Sequence, residues 1–454
     1  MTGPSQPTTF AARRVFTGER FEPATVRVQD GMIRVVDAFD ATADVLLDDT
    51  QVLLPGLVDS HVHLDEPGRT EWEGFLTGTA AALAGGVTTL LDMPLNSVPV
   101  TTTVDALAAK RAATTGKLGV DVGYWGGAVP ENLGSLAELR AAGVVGFKCF
   151  LSPSGIDEFG HLDAHQLERA LAEVAALDTV LIVHAEDPAH LHHDGPLGPR
   201  YSSFLTSRPS SSERSAIATV IEASRRTGGR AHIVHLSDAD SLADIRQAKA
   251  DGVRITVETC PHYLTLTAEE IPDGAGEFKS CPPIRGRENQ DRLWDGLLDG
   301  TVDAVVSDHS PATLALKVRE DGDLGLAWGG IAGLQTGFSA VWTEAQRRGI
   351  DLQTVIPWFT VGPSRIGGLG RRGTLTPGEP AHLVAFSPET PHQVDAGRLE
   401  YRNKLSPWHG RTLFGVVNET YVHGALAYTS SNGVMARRGR EPVSYTHLTL
   451  PTKA

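Results

Sequence analysis

LLPGLVDSHVHL, running from Leu53 to Leu64, decides the fold of this chain, because the rhythm of the sequence changes there. Before it, residues from about 10 to 54 read as short strands. FEPATVRVQDGMIRVVDAF alternates apolar and polar side chains around Asp30-Gly31, a hairpin signal. From Leu53-Leu54-Pro55-Gly56 onward, apolar runs alternate with Ala-rich helical stretches. The runs are GLVDSHVHL, GVTTLLDM, VDVGYWGGAV, GVVGFKCFL, TVLIVHAE, RAHIVHLS, RITVETC and VDAVVSDHS. TGTAAALAGG, LERALAEVAAL, SERSAIATVIEASRRTG and DSLADIRQAKADG are among the helical stretches between them. Eight strands separated by helices predict an α/β fold, a (β/α)8 TIM barrel.

After Thr374 the chain turns strand-like again, in GTLTPGEPAHLVAFSP and VVNETYVHGALAY. The expected division is residues 1–54 and 371–442 as the two parts of a small β-sandwich, with 55–370 as the barrel between them. The last stretch, 443–454, ends in SYTHLTLPTKA and continues neither pattern. It reads as a non-native run-on and is set aside from the fold.

Composition narrows the function. A chain of 454 residues with 41% hydrophobic side chains can bury a large core, which excludes fibrous and disordered classes. Its 55 acidic against 40 basic residues give a formal charge of -15, which disfavours nucleic acid and anionic membranes as partners and favours small-molecule chemistry. Cys149, Cys260 and Cys281 are too few and too scattered for a disulfide framework, and no signal peptide or membrane span is evident. A cytoplasmic protein is expected.

Ligand-type residues close several of the apolar runs: His61 and His63, His184, His235 and Asp308. Residues two apart on a strand face the same way, so His61 and His63 can reach one ion. A His-x-His pair alone is also what a polar strand surface looks like, and His184 or His235 alone reads equally as a satisfied core histidine. Four histidines and an aspartate at the same end of four strands are another matter, since that much buried polarity is costly without a metal to hold. His232 would lie deeper in the barrel and is left out of the site; His262 in TCPHYLTL is a possible supporting group.

Lys148 sits inside the apolar run VVGFKCF. Lost hydration lowers the pKa of such an amine, and a neutral amine can take up carbon dioxide to give a carbamate able to bridge two ions. The alternative is a lysine whose stem packs while its ammonium reaches the barrel mouth.

The order His61-x-His63, Lys148, His184, His235, Asp308 resembles the binuclear amidohydrolase superfamily. More narrowly, DEPGRTEWEGFLTGTAAALAGGVTTLLDMPLNSVP, GVVGFKCFLSPSGI, ETCPHYLTL, CPPIRGRENQ, VSDHSP and WGGIAGLQ are similar to the allantoinases within it. The resemblance spans roughly residues 10 to 435. It implies two divalent metal ions, most simply zinc, with His61, His63 and Asp308 on one, His184 and His235 on the other, and carboxylated Lys148 as the bridge. It implies hydrolysis of the cyclic amide of allantoin to allantoate by a metal-bridging hydroxide, with Asp308 as the catalytic proton carrier, and a homotetramer.

Neighbouring branches differ at single positions. Dihydroorotases carry an arginine two residues after the second histidine, where this chain has Asp65, a carboxylate expected to repel an anionic substrate, although Arg69 stands close by. Dihydropyrimidinases and hydantoinases carry a tyrosine on the loop after strand four, where this chain has Ser152-Pro153-Ser154. Asn96, Ser154, Cys281 and Gly330 are the expected ureide contacts; each reads alternatively as turn punctuation or filler. His382 stands where many relatives have aspartate, which puts a structural hydrogen bond in question. The other readings are a dihydropyrimidinase, hydantoinase or dihydroorotase, a mononuclear deaminase that would not need Lys148, and a catalytically silent scaffold.

Overall fold

The computed structural model describes residues 7–192 and 195–442; the segment 443–454 lies outside them. Among the described residues all eight expected barrel strands form: Leu57–Val62, Val87–Asp92, Asp121–Tyr124, Phe147–Phe150, Val180–His184, Arg230–Ile233, Ile255–Thr259 and Ala304–Val305. Neighbours pair in parallel, the third reaching the fourth through its continuation at Gly126-Gly127. The ring closes where Val62 bridges His309 and the His63 N–H donates to the His309 carbonyl at 2.8 Å. Asp59 reinforces that seam, its carboxylate accepting from the backbone N–H groups of His61 and Ser307, both at 3.0 Å.

These strands are covered on both faces, so they read as near-continuous apolar runs instead of alternating ones; every residue of Val180–His184 is buried. The helices outside carry the complementary pattern. In Ala164–Ala176, Leu167, Ala170, Leu171 and Val174 recur at helical spacing and are buried. Asp163 caps that helix, accepting from the Gln166 N–H at 2.8 Å while Gln166 reaches back to the Asp163 N–H at 3.0 Å, an arrangement that stabilises a helix start by about 1 kcal/mol.

The two flanking β segments do fold together, in one hydrogen-bonded sheet of nine strands among the described residues. Its centre is Val52–Pro55, paired with Leu383–Gln393 on one side and with Thr8–Phe16 on the other. The sheet curls over its own core: Phe10 and Tyr421, three strands apart in that order, meet edge to face with ring centroids at 4.9 Å. The hairpin expected at Asp30-Gly31 is present, with φ of 54° and 74°, both positive as a two-residue turn of this hand requires. One residue, Gly56, separates Val52–Pro55 from the first barrel strand. A Cβ there would stand 2.1 Å from Thr88 Oγ1 and 2.8 Å from His382 Cβ, so only glycine lets the β domain sit this close to the barrel.

Barrel and β domain are bolted at the end of the barrel away from the strand C-termini. Asp121, fully buried at the start of strand three, is met by Arg372 Nη1 at 2.7 Å, His423 Nε2 at 2.9 Å, the Arg440 N–H at 3.0 Å and His382 Nε2 at 3.3 Å. The hydrogen bond questioned at position 382 is thus made by the histidine. Burial opposes ionisation of Asp121, but these partners outweigh it and hold the carboxyl far below its usual range.

Candidate metal centre

Strand ends position the polar residues. His61 belongs to strand one and His63 follows its end; Lys148 lies inside strand four; His184 ends strand five. His235 and Asp308 come just after strands six and eight, and both adopt left-handed backbone, with φ of 40° and 43°. Non-glycine residues are rarely held there, and the strain, roughly 1–3 kcal/mol each, is characteristic of functional sites. All six side chains are buried and line one cavity of about 380 Å³.

The donor atoms fall into two groups. His61 Nε2 lies 3.1 Å and His63 Nε2 3.5 Å from Asp308 Oδ1. His184 Nδ1 lies 2.9 Å from His235 Nε2. Bonds of about 2.0–2.1 Å in a tetrahedral shell imply ligand-to-ligand edges of roughly 3.3 Å, so both groups have the spacing of a coordination shell. His61 and His235 rings stand 5.5 Å apart, which brings the two groups side by side. Phe150 stacks on His184 at 4.6 Å, and its ring centroid lies 4.7 Å from Lys148 Nζ, so aromatic surface screens this side from water.

Electrostatics fit the same purpose. Burial lowers His63 to about 4 and carries His235 well below its ordinary value, which keeps both imidazoles neutral and able to donate a lone pair. His61 goes the other way: burial opposes it, yet the carboxylates of Asp308 and Glu258 raise it to about 9, so they favour positive charge at this ring. Burial lowers Lys148 to about 8, against the pull of Asp308. A fraction of the amine is then neutral near physiological pH, as carbamate formation requires.

Carboxylates behind the ligands fix their tautomers, and the sequence reading did not find them. Glu258 Oε1 lies 2.5 Å from His61 Nδ1, and its second oxygen 3.0 Å from His232 Nε2, so the histidine set aside as deeper in the barrel supports the site indirectly. Glu186 Oε2 lies 2.7 Å from His184 Nε2 and accepts from Arg208 Nη1 at 2.5 Å. Such partners orient metal-binding imidazoles and raise their basicity. The signal was available: Glu258 interrupts the apolar run ITVET, and Glu186 follows His184 by two residues. His262 is fully buried, with neither ring nitrogen hydrogen-bonded, and lies beside Cys260 and Asp308.

Asn96, Ser154, Cys281 and Gly330 all line the cavity. The Asn96 amide lies 3.3 Å from His63 Nδ1 and so orients a ligand as well. The Ser154 hydroxyl is turned into its own loop, donating to the Phe159 carbonyl at 2.7 Å, which leaves backbone as its contact with the cavity. Asp65 corrects the sequence reading. It is completely buried and outside the cavity lining, and burial, with Asp92 and Glu73 nearby, pushes its carboxyl well above the usual range. Asp65 is therefore not placed to repel a substrate in the cavity. Arg69 is also engaged elsewhere, donating to the Asn96 carbonyl and to Glu158, both at 2.8 Å. No helix among the described residues is long and apolar enough to cross a membrane.

The Amidohydrolase family model matches residues 52–427. The chain is 52% identical over 416 residues to an allantoinase of Streptomyces avermitilis, covering 90% of this chain and 93% of that one. It is 46% identical over 389 residues to an allantoinase of Saccharomyces cerevisiae, covering 84% of each. Among solved structures, the L-hydantoinase (dihydropyrimidinase) of Arthrobacter aurescens superposes with a TM-score of 0.87 at 27% identity, over 95% of this chain and 98% of that one.

Proposed function

The chain belongs to the amidohydrolase family, and we propose that it is an allantoinase, opening the ring of allantoin to allantoate by hydrolysis of a cyclic amide, a step of purine catabolism. The observation that carries the substrate is the identity of about half of all residues with an allantoinase over nine tenths of both chains. The buried donor groups at the strand ends support the reaction class.

In this reading His61, His63 and Asp308 would hold one divalent ion and His184 and His235 the other, and Lys148, as a carbamate, would supply the further anionic ligand. Zinc suits this mixture of imidazole and carboxylate donors. Two such ions supply, when bound, an activated water near neutral pH and a polarised ureide carbonyl. The protein residues do the remainder. Glu258 and Glu186 keep His61 and His184 turned toward the cavity with the required lone pairs free. Asp308, beside His61 and His63, takes the proton released as water adds to the carbonyl carbon and returns it to the ring nitrogen as the C–N bond breaks. Asn96, Cys281, Gly330 and the backbone at Ser154 border the space the ureide occupies. A cytoplasmic location and a homotetramer belong to the same proposal; the cysteines are free, consistent with a reducing compartment.

Turnover of allantoin, hydantoin, dihydrouracil and dihydroorotate by the same metal-loaded enzyme tests the reading. Allantoin is expected to be opened fastest. A higher kcat/KM for any of the other three rings would reassign the substrate.

A further inference from the structure

Lys279 lines the cavity and Lys317 stands behind the same wall, 5% and 3% exposed. Among the described residues neither ammonium forms an ion pair; each is held by backbone carbonyls. Lys317 Nζ donates to the carbonyls of Gly330 at 2.5 Å, Trp328 at 2.9 Å and Lys279 at 3.1 Å, which uses all three of its N–H bonds. Lys279 Nζ donates to Ala327 at 2.5 Å and Gly325 at 3.1 Å and lies 5.0 Å from the Phe204 ring centroid. Burial depresses both amines, Lys317 to about 7. A charge placed this way is costly, and a methionine of similar length would fill the space without that cost.

Four of the five carbonyls they capture belong to Gly325–Gly330, every residue of which lines the cavity. That segment contains no helix or extended strand; in place of a ladder, separate bonds hold it, from the N–H groups of Ala327, Trp328 and Gly330 to the carbonyls of Asp323, Leu316 and Lys279. Its last two residues are close-packed: a Cβ on Gly330, at φ 146°, would lie 2.1 Å from the Ser310 carbonyl oxygen, and one on Gly329 would lie 3.0 Å from Cys281 Sγ. The ammonium groups tether the carbonyls of Gly325, Ala327, Trp328 and Gly330.

We propose that Lys317, supported by Lys279, is a positioning residue for ring opening: the pair fixes the irregular wall Gly325–Gly330 against which the ureide ring is held. The proposal rests on the allantoinase reading for its substrate, while the geometry of the wall is independent of it. A wall that contacts ground state and transition state alike acts mainly on KM.

The test is Lys317→Met in the full-length, metal-loaded enzyme. KM for allantoin should rise about tenfold while kcat changes by less than about threefold, with metal content unchanged. Lys279→Met should act in the same direction and less strongly. An unchanged KM, or an equal fall in kcat and kcat/KM accompanied by metal loss, would overturn the proposal. If Lys317→Met does not fold, Lys279→Met decides by the same criteria. If the parent enzyme fails to open allantoin, the substrate reading fails separately, and the KM shift is measured on whichever ring the parent does open.

Discussion

Glu258 Oε1 stands 2.5 Å from His61 Nδ1, joining two residues 197 positions apart on opposite sides of the barrel seam formed by strands seven, eight and one. The contact fixes which nitrogen of His61 carries hydrogen and leaves Nε2 facing Asp308. Glu258→Gln retains the shape and removes the charge. Metal affinity is expected to fall about 10- to 100-fold, read by competition with a chelator, with little change in thermal stability of the metal-loaded protein.

Lys148→Ala separates the binuclear reading from a mononuclear one. Metal content should drop below two ions per chain, with activity lost by about 10³-fold, the upper range for removal of one electrostatic stabiliser. Elemental analysis beside the activity assay checks both. Unchanged stoichiometry would assign Lys148 a packing role.

Stability should depend on pH through His382. Burial lowers its pKa from 6.5 to about 4. Between those values the unfolded chain takes up a proton that the folded chain refuses, so stability falls as pH falls, by ~3 kcal/mol at most. Asp121 acts in a lower window: held below its ordinary 3.8, it contributes stability above that value and loses it as pH falls further. Denaturant unfolding at a series of pH values should show a shallower slope between pH 6.5 and 4 in His382→Asn.

Asp65→Asn tests the corrected role of that residue. Because Asp65 lies outside the cavity lining and burial disfavours its charged form, kcat/KM for allantoin should stay within about threefold, under 1 kcal/mol. Dihydroorotate should remain as poor a substrate as for the parent. Appearance of dihydroorotate turnover would restore the electrostatic reading of this position.

The barrel was legible because most of its strands are short, mainly apolar runs, several of them followed by a polar residue, as strands buried on both faces are. The candidate ligands stood out for the same reason: His184 and His235 stand at the ends of runs that would otherwise have no use for an imidazole. What stayed hidden depends on direction and on distant partners. Spacing places Asp65 two residues from His63, but its φ of 41° takes it off the strand path, and no periodicity reports where a side chain points after such a turn. Lys279 and Lys317 are 38 residues apart and meet only because an irregular segment folds between them. Their partners are carbonyl oxygens, which every residue has, so no residue type marks them.

The strand Val52–Pro55, pressed against Leu383–Gln393 and leading through Gly56 into the histidine-bearing strand, also imposes an order on biosynthesis. Roughly 330 residues must leave the ribosome after Val52 before its partner exists, which takes about 15–70 s at ordinary rates of translation. For that time one edge of the strand is an open template beside the future metal centre. The nascent chain therefore presents this apolar strand paired on one edge alone, until residues that contribute nothing to the chemistry arrive to cover the other.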